Sequence, residues 1–255
     1  MKLNIPTKGN TKLEQILNKV KNHTKLASLL ECSNITAIDR MGYSDHGPTH
    51  VAIVSNIALK LLRNLKEANV ETSIEKNYSM TKEDAEIVVV LASLFHDVGH
   101  CVHRTHHTEF GITFAITMLP ELLKGQFNER EETIISSEIL HAIAAHDLDY
   151  APLTVEAGVV CIADALDMKE GRARIPFTAG KMDIHAVSAL AIEDVEIASG
   201  DKPIVITIKM GNSSGIFQID NLLKPKLIGS GLKEYIQINV VIEGSEKKIL
   251  KSFEL

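Results

Sequence analysis

The segment Ala85–Phe95, AEIVVVLASLF, constrains the chain more than any other stretch, because it is apolar on nearly every side. A helix without a polar face has to run through the middle of a domain with other elements packed around it. It follows Thr81-Lys82-Glu83-Asp84, which has the spacing of an amino-terminal capping box. It leads straight into LFHDVGHCVHRTHH, which holds five of the chain's eleven histidines. A central helix that ends in imidazoles and a carboxylate places polar, metal-ligating groups deep inside the fold.

Helical spacing dominates from Thr11 to about Gly171. TKLEQILNKVKNHTKLASLLE sets Leu13, Ile16, Leu17 and Val20 on one stripe, and VAIVSNIALKLLRNL does the same with Val54, Ile57, Leu61 and Leu65. EANVETSIEKNYSM reads as a polar connection, and EETIISSEILHAIAAHD and TVEAGVVCIADALDM read as two later helices. After about Val187 the period becomes two. PIVITIKM alternates Ile204, Ile206, Ile208 and Met210, and EYIQINVVI alternates Ile236, Ile238, Val240 and Ile242, as half-buried strands do. Ser199-Gly200-Asp201 and Glu243-Gly244-Ser245 supply turns, and GIFQIDNLLKPKLIGS between the strands suits a short amphipathic helix. With 255 residues and 45% hydrophobic content, the chain has enough apolar material for this plan. The expected fold class is α+β: a mainly helical unit over 1–186 and a small α+β domain over 187–255, suited to oligomerisation or regulation.

A net charge of −6 with both signs interspersed offers no broad basic face, so nucleic acid is not favoured as a partner. No run approaches the roughly 20 apolar residues that span a bilayer, and MKLNIPTKGNTKLEQ lacks the apolar core of a secretory signal, so a cytoplasmic location is expected. Cys32, Cys101 and Cys161 are odd in number and far apart, as reduced core thiols are. The alternating strands can leave an edge for a second copy, so a homo-oligomer is expected.

His96 and Asp97 close the apolar helix, where adjacent side chains can converge on one ion once the helix ends at Gly99. His50, His107, His146 and Asp164 lie at the ends of other helical segments that can meet there. These six residues can hold two divalent ions and leave positions for water and substrate. Imidazole and carboxylate ligands suit Mn, Ni, Fe, Co or Zn rather than Mg or Ca. His141 competes with His146; the latter is preferred because it ends the apolar run and is followed by Asp147, which can orient it. Pro48 suits the first helical position, which puts Gly47 at the cap and His46 on the loop before it, beside substrate together with Asp45. Asp167 is placed to hold a ligand or Arg172. Arg104, Lys169, Arg172 and Arg174 are the candidate phosphate-binding cations.

The ordered set His50 in THVAIV, His96-Asp97 in LFHDVGH, His107 in HTEFG, His146 in IAAHD and Asp164 in CIADALDM resembles the HD superfamily of metal-dependent phosphohydrolases. The resemblance covers roughly Asp45 to Pro176. The spacing between Asp97 and His107 is shorter than in the superfamily's cyclic-dinucleotide phosphodiesterases, and their GYP stretch is absent. The carboxy-terminal segment resembles the appended domain of uncharacterised prokaryotic members.

The resemblance implies hydrolysis of a phosphomonoester or phosphodiester of a nucleotide or other small phosphorylated metabolite by metal-activated water. Asp97 would bridge the ions, and His46 or His103 would protonate the leaving oxygen. Two alternatives use the same residues: a di-iron oxygenase of the same superfamily, and a non-enzymatic, metal-stabilised nucleotide-binding module that signals through a partner.

Overall fold

The computed structural model describes residue 1, residues 3–169 and residues 184–242. Its order is α1 (Thr11–Asn22), α2 (Thr24–Asn34), α3 (Pro48–Glu67), α4 (Ser73–Tyr78), α5 (Lys82–Phe95), α6 (His107–Leu123), α7 (Glu129–Ala145), α8 (Val155–Ala165) and α9 (Ile184–Leu190), then strands β1 (Ile192–Ala198), β2 (Ile204–Met210) and β3 (Ile236–Ile242). A 3-10 turn over Val98–Cys101 joins α5 to the approach of α6. This is the expected α+β class, a helical body followed by a small sheet.

Every residue of α5 from Asp84 to Phe95 is buried, as its lack of a polar face requires. The capping box before it is formed: the Asp84 backbone N–H donates to Thr81 Oγ1, and the Thr81 N–H donates to Asp84 Oδ2 at 3.0 Å. Helices α3, α7 and α8 pack against α5. α1 buries Leu13, Ile16, Leu17 and Val20, the stripe its spacing dictates. Glu86 near the start of α5 receives Arg63 of α3 and Asn10 before α1, which fastens the amino-terminal helix to the central pair.

Two readings of the sequence need correction. The stretch expected as a polar connection contains α4, capped by a box between Thr72 and Glu75 that the apolar pattern did not reveal. Strand β3 is less buried than its alternation predicts: Ile236 is inside, while Val240, Val241 and Ile242 are exposed. Among the described residues β3 is an edge strand, paired on one side only, with β2. Strand β2 does alternate, with Ile204, Ile206, Ile208 and Met210 buried.

β1 and β2 pair antiparallel, whereas β2 and β3 run parallel from Ile204 opposite Ile236 to Met210 opposite Ile242. A parallel pair cannot be closed by a tight turn, so residues 211–235 form a crossover. Short helical turns over Ile216–Gln218 and Ile219–Leu223 lead into a helix at Lys224–Gly229, where the sequence suggests one amphipathic helix. The crossover packs on α8 at Gly158, where an added Cβ would strike the Ser230 carbonyl oxygen and crowd Leu232. Arg172, Arg174 and the Glu243-Gly244-Ser245 turn lie outside the described residues. No described helix is long and apolar enough to cross a membrane.

Candidate metal centre

Helix α5 stops at Phe95; His96 keeps helical dihedrals, but Asp97 turns to φ −101° and ψ 0°. That departure lets two neighbouring side chains converge. Buried Ser33 of α2 pins the turn by donating to the Asp97 and Val98 carbonyl oxygens. Gly99 allows the next step, because a Cβ there would clash with the His107 carbonyl oxygen at the start of α6. His50 stands in the first turn of α3, behind Pro48 at the helix start and Gly47 at the cap, as expected. Asp45 accepts the Gly47 and His50 backbone N–H groups, and Asn34 accepts that of His46.

Four side chains meet around one point. His50 Nε2 lies 3.2 Å from His96 Nε2, 3.2 Å from Asp97 Oδ2 and 3.2 Å from Asp164 Oδ1. His96 Nε2 lies 3.4 Å from Asp97 Oδ2 and 3.6 Å from Asp164 Oδ1. Ligands about 2.1 Å from a shared ion stand roughly 3.0–3.4 Å apart in octahedral or tetrahedral shells, so this spacing fits a metal position. The other oxygen of Asp97 faces a second set. His107 Nε2 and His146 Nε2 are 3.2 Å apart, and lie 3.7 and 3.8 Å from Asp97 Oδ1.

The remaining ring nitrogens are all engaged. His50 Nδ1 pairs with Asp167 Oδ2 at 2.6 Å, His96 Nδ1 with the Ser93 carbonyl at 2.8 Å, His107 Nδ1 with that of Arg104 at 2.9 Å, and His146 Nδ1 with that of Ile143 at 2.7 Å. These acceptors suit a proton on Nδ1 and turn each Nε2 inward, the orientation that metal-ligating histidines use.

The charges of the two sets differ. Burial works against a charge on His96, but the Asp97 and Asp164 carboxylates outweigh it and lift its pKa to about 9. Burial pushes His146 well below the usual imidazole range, helped by His96 and His107, and it also lowers His107. Asp97 stays well below the usual carboxylate range in spite of burial, because His96, His100 and His46 surround it.

All six expected ligands therefore converge. His141 does not; its Nε2 accepts the Leu153 N–H, and of the two candidates it is His146 that stands among the converging groups. Asp147 is not the partner of His146, since the Ile143 carbonyl takes that role. Asp167 fulfils its expected part through His50. His46 is buried, bonded through Nδ1 to the Ser44 carbonyl, with its ring 4.6 Å from that of His100.

His103 is exposed, accepts the Thr105 N–H and belongs to none of the converging donor sets. Arg104 is exposed and lies over the Tyr43 ring, and Lys169 pairs with Asp194 on β1, so these two expected phosphate ligands point to other partners. Cys161 is a core thiol, which burial pushes up to about 12, whereas Cys101 is half-buried and Cys32 exposed, unlike the core thiols expected.

Two members of the site had no clear signal in the sequence. His100 is buried on the 3-10 turn with Nε2 3.3 Å from Asp97 Oδ1, and its ring lies 4.3 Å from that of His107. Lys226, in the Lys224–Gly229 helix, places Nζ 2.6 Å from Asp164 Oδ2 and 3.7 Å from Asp147 Oδ1. Burial disfavours its charge, but Asp164 more than offsets this, so its pKa is raised and it stays an ammonium. Asp164 is in turn held well below the usual carboxylate range despite burial, by Lys226 first and then by His50 and His96.

The chain belongs to the HD superfamily, most of whose members are metal-dependent hydrolases: the family model for the HD domain matches residues 49–169, which include all six converging side chains. It is also 38% identical, over 95% of its length and 93% of the relative's, to the uncharacterized protein MJ1020 of Methanocaldococcus jannaschii. The clustered His and Asp side chains are suited to divalent metal.

Proposed function

We propose that the protein hydrolyses a phosphomonoester or phosphodiester of a nucleotide or another small phosphorylated metabolite at a centre of two divalent transition-metal ions. The observation that carries this reading is Asp97, which turns one carboxylate oxygen to each donor set. His50, His96, Asp97 and Asp164 would hold one ion; Asp97, His107 and His146 would hold the other, with His100 beside it. Bound ions supply Lewis acidity toward phosphate oxygens and make a water acidic enough to attack near neutral pH.

The chain's own groups do the rest. Asp167 and the Ser93, Arg104 and Ile143 carbonyls fix the four imidazoles, so that little reorganisation is needed when substrate arrives. His46, on the loop before α3 and next to His100, is the candidate to deliver a proton to the leaving oxygen. Arg172 and Arg174 keep their proposed role as phosphate-binding cations.

Phosphate release from a panel of phosphorylated metabolites, with Mn or Ni supplied, tests the reading. Asp97→Ala protein that stays folded should lose at least about three orders of magnitude in rate, because it removes a ligand from both sets. Undiminished release by that variant refutes the assignment.

A further inference from the structure

We infer that Lys226, carried to the centre by the β2–β3 crossover, binds the substrate's phosphoryl group. The inference rests on the phosphohydrolase reading and names the side chain that gives it selectivity for an anion.

Lys226 is a nearly buried side chain set against the most exposed of the converging donors. Asp164 is the most exposed of the converging side chains, at 17% against 0% for His50 and His96, 2% for His146, 5% for Asp97 and 10% for His107, and Lys226 beside it is 11% exposed. A ligand that reaches the buried donor sets past Asp164 therefore meets the Lys226 ammonium.

Its bonds leave room for such a ligand. An ammonium has three N–H donors. Among the described residues Asp164 takes one at 2.6 Å, and Asp147, at 3.7 Å, is beyond hydrogen-bond length. Asp164 uses different oxygens for the two tasks: Oδ2 faces Lys226, and Oδ1 faces His50 and His96. One carboxylate thus sets the ammonium directly beside the first metal position. Arg104 lies over the Tyr43 ring and Lys169 pairs with Asp194, whereas Lys226 has its charged group on one of the converging carboxylates.

The placement is built into the fold. Gly158, six residues before Asp164 on α8, lets the Ser230 backbone lie against the helix, and Gly229 fits against Leu148. The crossover helix is seated by its backbone on the element that carries Asp164, which fixes how far Lys226 can reach.

Inorganic phosphate is the probe, titrated into the full chain loaded with Mn. Lys226→Met should weaken phosphate binding at least about tenfold with Mn content and melting behaviour retained, and Lys226→Arg should stay within about threefold. In parallel, the 15Nζ signal of Lys226 in the wild-type protein, loaded with diamagnetic Zn and assigned by its absence from Lys226→Arg, should move when phosphate is added. This measurement decides the matter even if Lys226→Met does not fold.

Unchanged phosphate affinity in folded Lys226→Met, or an unmoved signal at saturating phosphate, overturns the inference. Loss of Mn from Lys226→Met with an unmoved wild-type signal also overturns it, since the lysine then only positions Asp164. If no phosphate ester is hydrolysed yet phosphate binding depends on Lys226, the phosphohydrolase reading falls and the anion site stands.

Discussion

His50 Nδ1 and Asp167 Oδ2 stand 2.6 Å apart, and both side chains are buried. The carboxylate fixes the tautomer of a ligand that touches three other donors at once. Asp167→Ala should therefore weaken metal binding about 10–100-fold while leaving the helical fold intact, read by calorimetric titration of Mn or Zn into the metal-free protein. Unaltered affinity would show that the α3 backbone alone orients His50.

The two faces of Asp97 make stoichiometry a sharp test. His146→Ala should reduce the bound metal from two equivalents to one, because His146 Nε2 stands beside His107 Nε2 and faces Asp97 Oδ1, although His96 and Asp164 are also within its reach. Asp97→Ala should bind neither ion tightly, since both sets lose a carboxylate oxygen. Elemental analysis after desalting distinguishes these results; two equivalents in His146→Ala would remove it from the ligand set.

Gly99 carries the close approach of the 3-10 turn to α6. Gly99→Ala must push the His107 carbonyl away, at a cost of about 2 kcal/mol or more. A lowered melting temperature should accompany selective loss of the second metal equivalent, because His107 is the first residue of α6. A wild-type melting temperature would contradict the packing described.

Acid stability should depend on the pair Arg63 and Glu86. Burial pushes the Glu86 carboxyl up, but hydrogen bonds from Arg63 and Asn10 prevail and hold it below its ordinary 4.5. A folded pKa below the unfolded one gives stabilisation that is present above about pH 4.5 and lost as the pH falls through the folded value. Arg63→Met leaves the carboxylate buried without its cation and should cost on the order of 2–4 kcal/mol near neutral pH. The gap between wild type and variant should narrow on acidification, as urea unfolding at several pH values would show; a gap independent of pH would remove Glu86 as its source.

Much of the centre is legible in the sequence because its ligands sit at helix ends, and helix ends carry signals of their own. Pro48 marks the start that presents His50, and the unbroken apolar run of α5 marks the stop that presents His96 and Asp97. His100 was hidden by the turn after Asp97, whose 3-10 geometry is set by contact with α2 and α6 rather than by local preference. Lys226 was hidden by distance: 62 positions separate it from Asp164, and an amphipathic pattern in its own segment does not say which helix it meets. Helix α4 was missed because its signal is the cap Thr72 and Glu75, not an apolar stripe. The exposure of β3 depends on which strand ends the sheet, and alternation cannot report that.

The parallel register of β2 and β3 obliges the polypeptide to travel the length of the sheet before it can lay down its outer strand. That return journey also carries the Lys226 ammonium to Asp164 of the donor cluster. Shortening, swapping or unpairing the outer strand would slacken the route, so the Lys226–Asp164 contact answers to strand pairing some distance away.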